Sequence, residues 1–300
     1  MTSPEDEPGG WSVGAMLAMG QFSARHGVDK EQLEPAMPDK EVIHAHDVHT
    51  LLGALDLRGA YRLSPRVGLE VLMPLRLAVI RPKFEDQAGR PVTGVESIHH
   101  REENLVGLGD LRVGGAFRLS PLDGSWKLLA RAGLAAPTGN VEPNPFALGE
   151  RGESHQHVFF GAGTVDPLLG MEASYAHPTF RAAAKIDGRT SLYSGRHGYR
   201  QGTRVTGGVD LSWRTGNLSL AVHPGLYYET ASRWNDRSAE NSGRIDLLAS
   251  ASAAWAPAAG TRWVLSVGRP ITLTTEGGQF DTSWQLGLGV QWSGGSTPER

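Results

Sequence analysis

Read in alternate letters, D-T-S-W-Q-L-G-L-G-V-Q-W (281–292) separates into two series. Thr282, Trp284, Leu286, Leu288, Val290 and Trp292 form a largely apolar one, while Asp281, Ser283, Gln285, Gly287, Gly289 and Gln291 are polar or lack a side chain. A period of two marks a β-strand, whose successive Cβ atoms point to opposite faces. The same alternation recurs about a dozen times along the chain. Val67, Leu69, Val71, Met73, Leu75 and Leu77 oppose Gly68, Glu70 and Arg76; Leu218, Leu220, Val222, Leu226 and Tyr228 oppose Ser219, His223, Gly225 and Glu229.

The links between these segments alternate in length. Short ones fall at 64–65, 119–124, 177–178, 215–217 and 257–260, and longer polar ones at 24–43, 81–100, 138–157, 188–201, 232–242 and 276–279. Tight turns at one end and long loops at the other are the mark of an outer-membrane barrel. The pattern therefore predicts an all-β fold, a twelve-stranded antiparallel transmembrane β-barrel over 11–293. An acidic tail (1–10) precedes it and a C-terminal tail (294–300) follows, both at the short-turn, periplasmic end. The piece V-D-K-E-Q-L-E (28–34) is expected to form a short helix in an external loop.

On this reading the apolar face meets lipid and the polar face lines the lumen. Its bases are Arg58, Arg62, Arg76, Arg112, Arg118, Lys127, Arg131, Arg181, Lys185, Arg204, Arg214, Arg244 and Arg262. Its acids are Asp56, Glu70, Asp110, Asp166, Glu172, Asp187, Asp210, Glu229 and Asp246, and His223 stands alone at mid-strand. The bases outnumber the acids, which leaves two readings open: cross-strand ladders that fill the interior, or mild selectivity for anions. Trp126, Trp213, Trp255, Trp263, Trp284 and Trp292 lie on the apolar series near strand ends. There they would form aromatic girdles at the two membrane–water interfaces.

Composition narrows the picture. A net charge of −3 gives no reason to expect a nucleic-acid partner. Thirty-nine glycines suit packed strands and turns, and the absence of cysteine excludes disulfides and thiolate metal sites. The opening M-T-S-P-E-D-E-P-G-G has no apolar stretch of the signal-peptide kind, so the chain reads as a mature form.

Three stretches in order, G-L-G-D-L-R-V-G-G-A-F-R-L (107–119), L-A-R-A-G-L-A-A-P-T-G-N (129–140) and F-G-A-G-T-V-D-P-L-L-G (160–170), resemble the bacterial outer-membrane barrel transporter family labelled as the MetA-pathway of phenol degradation. That resemblance implies a β-barrel channel or transporter, often assigned to aromatic compounds, and supplies no catalytic residues. The last strand also looks like the signal read by the barrel-assembly machinery, with Gln285, Gly287, Val290 and Trp292 in its places, although S-G-G-S-T-P-E-R follows it.

Histidines are the remaining local feature. His44, His46 and His49 fall within H-A-H-D-V-H, His99 and His100 are adjacent, and His155 and His157 lie in H-Q-H. Neutral imidazole binds Cu and Zn, so these loop residues are either metal ligands in an external vestibule or plain solvated side chains. For an enzyme, Ser242 in E-N-S-G-R is the nearest candidate, but the phospholipase pattern needs a His where Glu240 stands. No G-x-S-x-G elbow occurs either. The expected partners are outer-membrane lipids, the assembly machinery and a small-molecule substrate. The expected function is passage of small solutes through a polar lumen. A carrier of hydrophobic or aromatic compounds, or a sealed metal-binding surface protein, are the alternatives.

Overall fold

The computed structural model describes residues 9–27, 43–95, 97–98, 101–239, 242–276 and 281–295. Alternation drives the chain into twelve long strands: β1 (Trp11–Gly27), β2 (Ile43–Arg62), β3 (Val67–Asp86), β4 in two pieces (Glu103–Leu108 and Leu111–Arg118), β5 (Trp126–Ala136), β6 (Asp166–Ala176), β7 (Phe180–Arg189), β8 (Arg204–Thr215), β9 (Leu218–Glu229), β10 (Ser242–Ala258), β11 (Thr261–Glu276) and β12 (Asp281–Gly294). Each pairs antiparallel with the next, and β1 pairs with β12 from Trp11↔Gly294 to Ser23↔Asp281, closing the sheet. Closure leaves no free edge along the wall. No helix among the described residues is long and apolar enough to cross a membrane, which says nothing of a β-barrel. The helix expected at 28–34 lies outside the described residues.

The barrel is inside-out relative to a soluble sandwich. Leu69, Val106, Val113, Leu134, Leu169, Leu220, Leu265, Val267, Leu286 and Leu288 are exposed on its outer surface. The reverse face carries the ion pairs. Arg189 on β7 reaches Asp110 beside β4, with β5 and β6 between them. Side chains that far apart around the wall can meet only across the interior.

The wall is uneven. β2 and β3 run for 20 residues each, β5 and β6 for 11. The difference is about 30 Å along the strand. Above the short side, the segments 137–165, 190–203 and 230–239 fold over the mouth. They include a helix, α1 (Pro145–Gly149), capped by the Asn144 side chain, and a three-stranded sheet of Tyr199–Arg200, Arg233–Trp234 and Arg237–Ser238. At its centre Phe159 packs edge to face on both Tyr199 and Trp234, which are tilted against each other, with ring centroids 4.7–5.5 Å apart.

Three expectations are corrected by this architecture. The inward face is not polar throughout. Beyond Asp56 and Arg76, β2 and β3 turn Leu52, Val48, Ala78 and Ile80 inward, where Leu105, Val158 and Phe160 pack on them. The 137–165 segment fills this half, so burial replaces water. Secondly, Thr282 is fully buried although it belongs to the apolar series. A bulge opposite Gln21 and Phe22 leaves Ser283 unpaired and reverses the strand's parity beyond Trp284. Thirdly, the tryptophans make one girdle rather than two. Trp126, Trp213, Trp255, Trp263 and Trp292 are exposed at the short-turn end, joined by Trp11. Trp255 lies opposite Trp263, and Trp126 and Trp213 meet Tyr175 and Phe180. Trp284 sits on the other half of β12 and donates to Gln21 at 3.3 Å.

Candidate functional site

The interior encloses a cavity of about 820 Å³, lined from β1 through β9 and from β11 and β12. Its walls are bare where glycines alternate inward. A Cβ at Gly114 would stand 2.8 Å from the Ala132 carbonyl, and one at Gly133 would stand 2.5 Å from that of Val113. Small residues at these places let adjacent strands approach and leave space in the lumen.

Charged side chains meet across this space as ladders. Arg131 bridges Glu70 at 3.4 Å and Glu172 at 3.2 Å, and Glu172 also takes Arg181 at 3.1 Å. Asp56 holds Arg76 at 2.8 Å and Arg58 at 3.3 Å; Arg204 pairs with Glu229 at 2.8 Å, Lys185 with Asp210 at 3.3 Å, and Arg244 with Asp246 at 2.9 Å. Arg112 lines the cavity without an ion pair among the described residues, and its buried Nε has no acceptor. At the short-turn end the bases serve the turns. Arg118 donates to the carbonyls of Pro121 and Leu122 at 2.8 and 3.0 Å, and Arg214 to that of Gly216 at 3.2 Å. Lys127, Arg62 and Arg262 hold partners of their own at the same end.

His223 joins two strands. Its Nδ1–H donates to Asp210 at 2.5 Å, and its Nε2 accepts from the Ser252 hydroxyl at 2.9 Å. This Asp–His–Ser order is the one that activates a nucleophilic serine. Ser252, however, sits mid-ladder between Ala221 and Ser266, so the neighbouring amides are committed to strand pairing rather than to an oxyanion. The geometry makes it a hydrogen-bonded strut. Ser242 is also occupied: its hydroxyl donates to the Ala239 carbonyl at 2.6 Å and accepts from the Ser232 amide at 3.0 Å.

The roof of the chamber is where the three glycine-rich stretches converge, a purpose invisible in the sequence. The break at Gly109–Asp110 switches the inward parity of β4, from Leu105 and Gly107 above to Arg112 and Gly114 below. Asp110 is thereby tucked inside, accepting from the amides of Gly139 at 3.2 Å and Ala162 at 2.9 Å and from Arg189 at 2.5 Å. Arg189 also binds Asp166 at 2.8 Å, and Asp166 accepts from Thr164 at 2.5 Å. Thr138 locks the neighbouring turn, accepting from Leu111 N and donating to Gly109 O, each at 2.8 Å. Gly139 and Gly161 touch backbone to backbone: a Cβ on Gly161 would lie 2.4 Å from Gly139 O. Arg189 was not singled out from sequence. A basic residue in step with Lys185 and Asp187 on β7 was the available signal.

The histidines are dispersed. His44 is exposed and His46 is buried against Phe84, with centroids 5.9 Å apart. His49, an odd number of residues away, lies on the opposite face beside Asp47 at 3.1 Å. His155 is buried, its Nδ1–H donating to Glu153 O at 2.9 Å, with the His157 ring 5.2 Å away. His99 and His100 lie outside the described residues. Among those described, no three His, Asp or Glu side chains gather as a metal site. In the assembly-signal stretch, Gly287 is held small by the Ser266 hydroxyl, 2.4 Å from its would-be Cβ; Gln285 shares its face, while Val290 and Trp292 face outward.

By sequence, no family model and no curated protein matches the chain. By structure, it resembles the COG4313 outer membrane channel from Pseudomonas putida F1, with a TM-score of 0.61 and 16% identity over 95% of this chain and 96% of that one. Weaker likenesses, barrel to barrel only, are to the P. putida toluene transporter TodX (TM-score 0.45, 9% identity, 100% and 94% covered) and the NanC porin (0.46, 9%, 92% and 98%). The expectation drawn from the three glycine-rich stretches agrees with this result: the chain has the twelve-stranded antiparallel barrel fold of a bacterial outer-membrane channel.

Proposed function

We propose that this protein is a channel of the bacterial outer membrane that passes small solutes through its lumen, with short turns toward the periplasm and long loops outward. The observation that carries this reading is the cavity of about 820 Å³ inside the wall, bordered by charged ladders and by Met16, Leu72, Leu168 and Val264. Most of the long guanidinium groups are tethered to a neighbouring strand, as Arg76 is to Asp56, Arg181 to Glu172 and Arg204 to Glu229, rather than folded across the centre, which helps to keep the chamber open. The 137–165 segment, anchored by Asp110, Asp166 and Arg189, narrows the external half.

A second reading has its own support. Leu52, Val48, Ala78, Ile80 and Leu105 make an apolar surface on the inner face above the charged chamber, covered by Val158 and Phe160; with the 137–165 segment displaced it would suit a solute with an apolar body. Single-channel current of the reconstituted protein in a planar bilayer tests the first reading: steady current in potassium chloride is expected. A silent protein that still takes up a neutral hydrophobic solute in liposomes would overturn it in favour of the second.

A further inference from the structure

Among the described residues, Arg112 is the chamber-lining cation without an ion pair. Arg189, Arg76 and Arg204 repel its charge, and Asp56 attracts it. Each of those arginines already has a carboxylate: Arg189 has Asp110 and Asp166, Arg76 has Asp56, and Arg204 has Glu229. Asp56 itself is shared between Arg58 and Arg76. Asp187, the other cavity charge without an ion pair among the described residues, is pressed against Gly170 on the β6–β7 wall. A guanidinium repelled by three paired arginines, with a buried Nε lacking an acceptor, is an unmet demand for an anion.

We propose that Arg112 is the recognition group for a small organic carboxylate with an apolar body, held in the central chamber. The planar fork of a guanidinium matches a carboxylate bidentately. Leu72 lies directly opposite Arg112 in the ladder, and Leu168 lines the same cavity, so apolar surface stands beside the charge. Gly114 and Gly133 leave the adjoining wall open for the ligand's body. The arrangement deepens the channel reading above and rests on it only for the passage of the ligand, not for its binding.

The test uses hexanoate, with hexanol as its neutral counterpart and inorganic phosphate as a simple anion. In planar bilayers, hexanoate is expected to interrupt the potassium chloride current saturably, while hexanol and phosphate do so far less. Arg112→Gln should weaken the block about tenfold or more, each variant being compared with its own unblocked current. Arg112→Lys, which keeps the charge but loses the fork, should fall between, and this separates recognition from collapse of the chamber. Equal block in the native protein and Arg112→Gln, or equal block by phosphate or hexanol, would overturn the proposal. If no variant conducts, the channel reading fails by itself. Calorimetric titration of the detergent-solubilised barrel with hexanoate then decides: saturable heat abolished by Arg112→Gln supports the site, and its absence in the native protein refutes it.

Discussion

Arg189→Met removes the one cation that two buried carboxylates share. The Arg189 side chain is 10% exposed, that of Asp110 1% and that of Asp166 0%. Breaking a buried pair by deleting one partner costs about 3–5 kcal/mol, because the other charge stays dehydrated. Here Asp110 keeps two backbone amides and Asp166 keeps the Thr164 hydroxyl. Those donors hold the cost near the low end, about 3 kcal/mol, but two like charges then face each other with nothing between. The strands need not unfold to relieve this. Release of the 137–165 segment hydrates both acids while every barrel ladder stays intact.

The cost should therefore appear as local opening, raised roughly a hundredfold for 3 kcal/mol. Hydrogen exchange followed by mass spectrometry reads it directly. Amides of Gly139, Gly161 and Ala162, which bond to Asp110 and Asn140, should exchange faster by about that factor, and those of β10–β12 should not change. Adding Asp110→Asn should cost less than the sum of the two single substitutions, since the residues share one network. Unchanged exchange over 137–165, or equal acceleration throughout the barrel, would refute the reasoning.

Gly161→Ala places a Cβ 2.4 Å from the Gly139 carbonyl; the segment should undock and become cleavable by protease in folded barrels, whereas protection equal to the parent would count against the backbone contact. Val267→Arg, on an outer position 53% exposed, should destabilise the barrel in liposomes by about 2–4 kcal/mol in denaturant titration; no loss would mean that this face does not meet lipid. Burial between Phe159 and Trp234 raises the Tyr199 phenol above its ordinary value, because the phenolate would be desolvated. The folded state thus holds this proton more tightly than the unfolded one. Its stabilisation is complete below the ordinary phenol range, about pH 10, and is lost as pH rises through the raised value. Trp234 fluorescence should report loosening of the loop cap at alkaline pH, and Tyr199→Phe should abolish that step.

The alternation of Leu286, Leu288 and Trp292 with Gln285, Gly287 and Gln291 was enough to reveal a strand with two unlike faces. The strict exchange of short and long links was enough to reveal a barrel. These are local signals: period two follows from backbone geometry, and a chain of such hairpins with tight turns at one end closes most simply into a wall. The same period puts Arg131, Glu172, Lys185 and Arg204 in step with the polar positions of their strands, without saying what each pairs with.

What escaped the sequence depends on residues far apart in the chain. Ser283 and Gly109–Asp110 break the parity of their strands, and a bulge is set by the partner strand, not by the local pattern. Phe160 and Val158 read as loop residues until the segment holding them folds inward over Ile80 and Ala78. Asp110, Asp166 and Arg189 look like any other lumen charges; only closure of the barrel brings Arg189 within 3 Å of both acids, Asp110 lying two strands beyond the adjacent Asp166. The same closure leaves Arg112 without an ion pair among the described residues. Period and turn spacing are written in neighbouring residues and so determined the wall, whereas the pairing of charges is a matter of distance across the interior, which the tertiary structure alone decides.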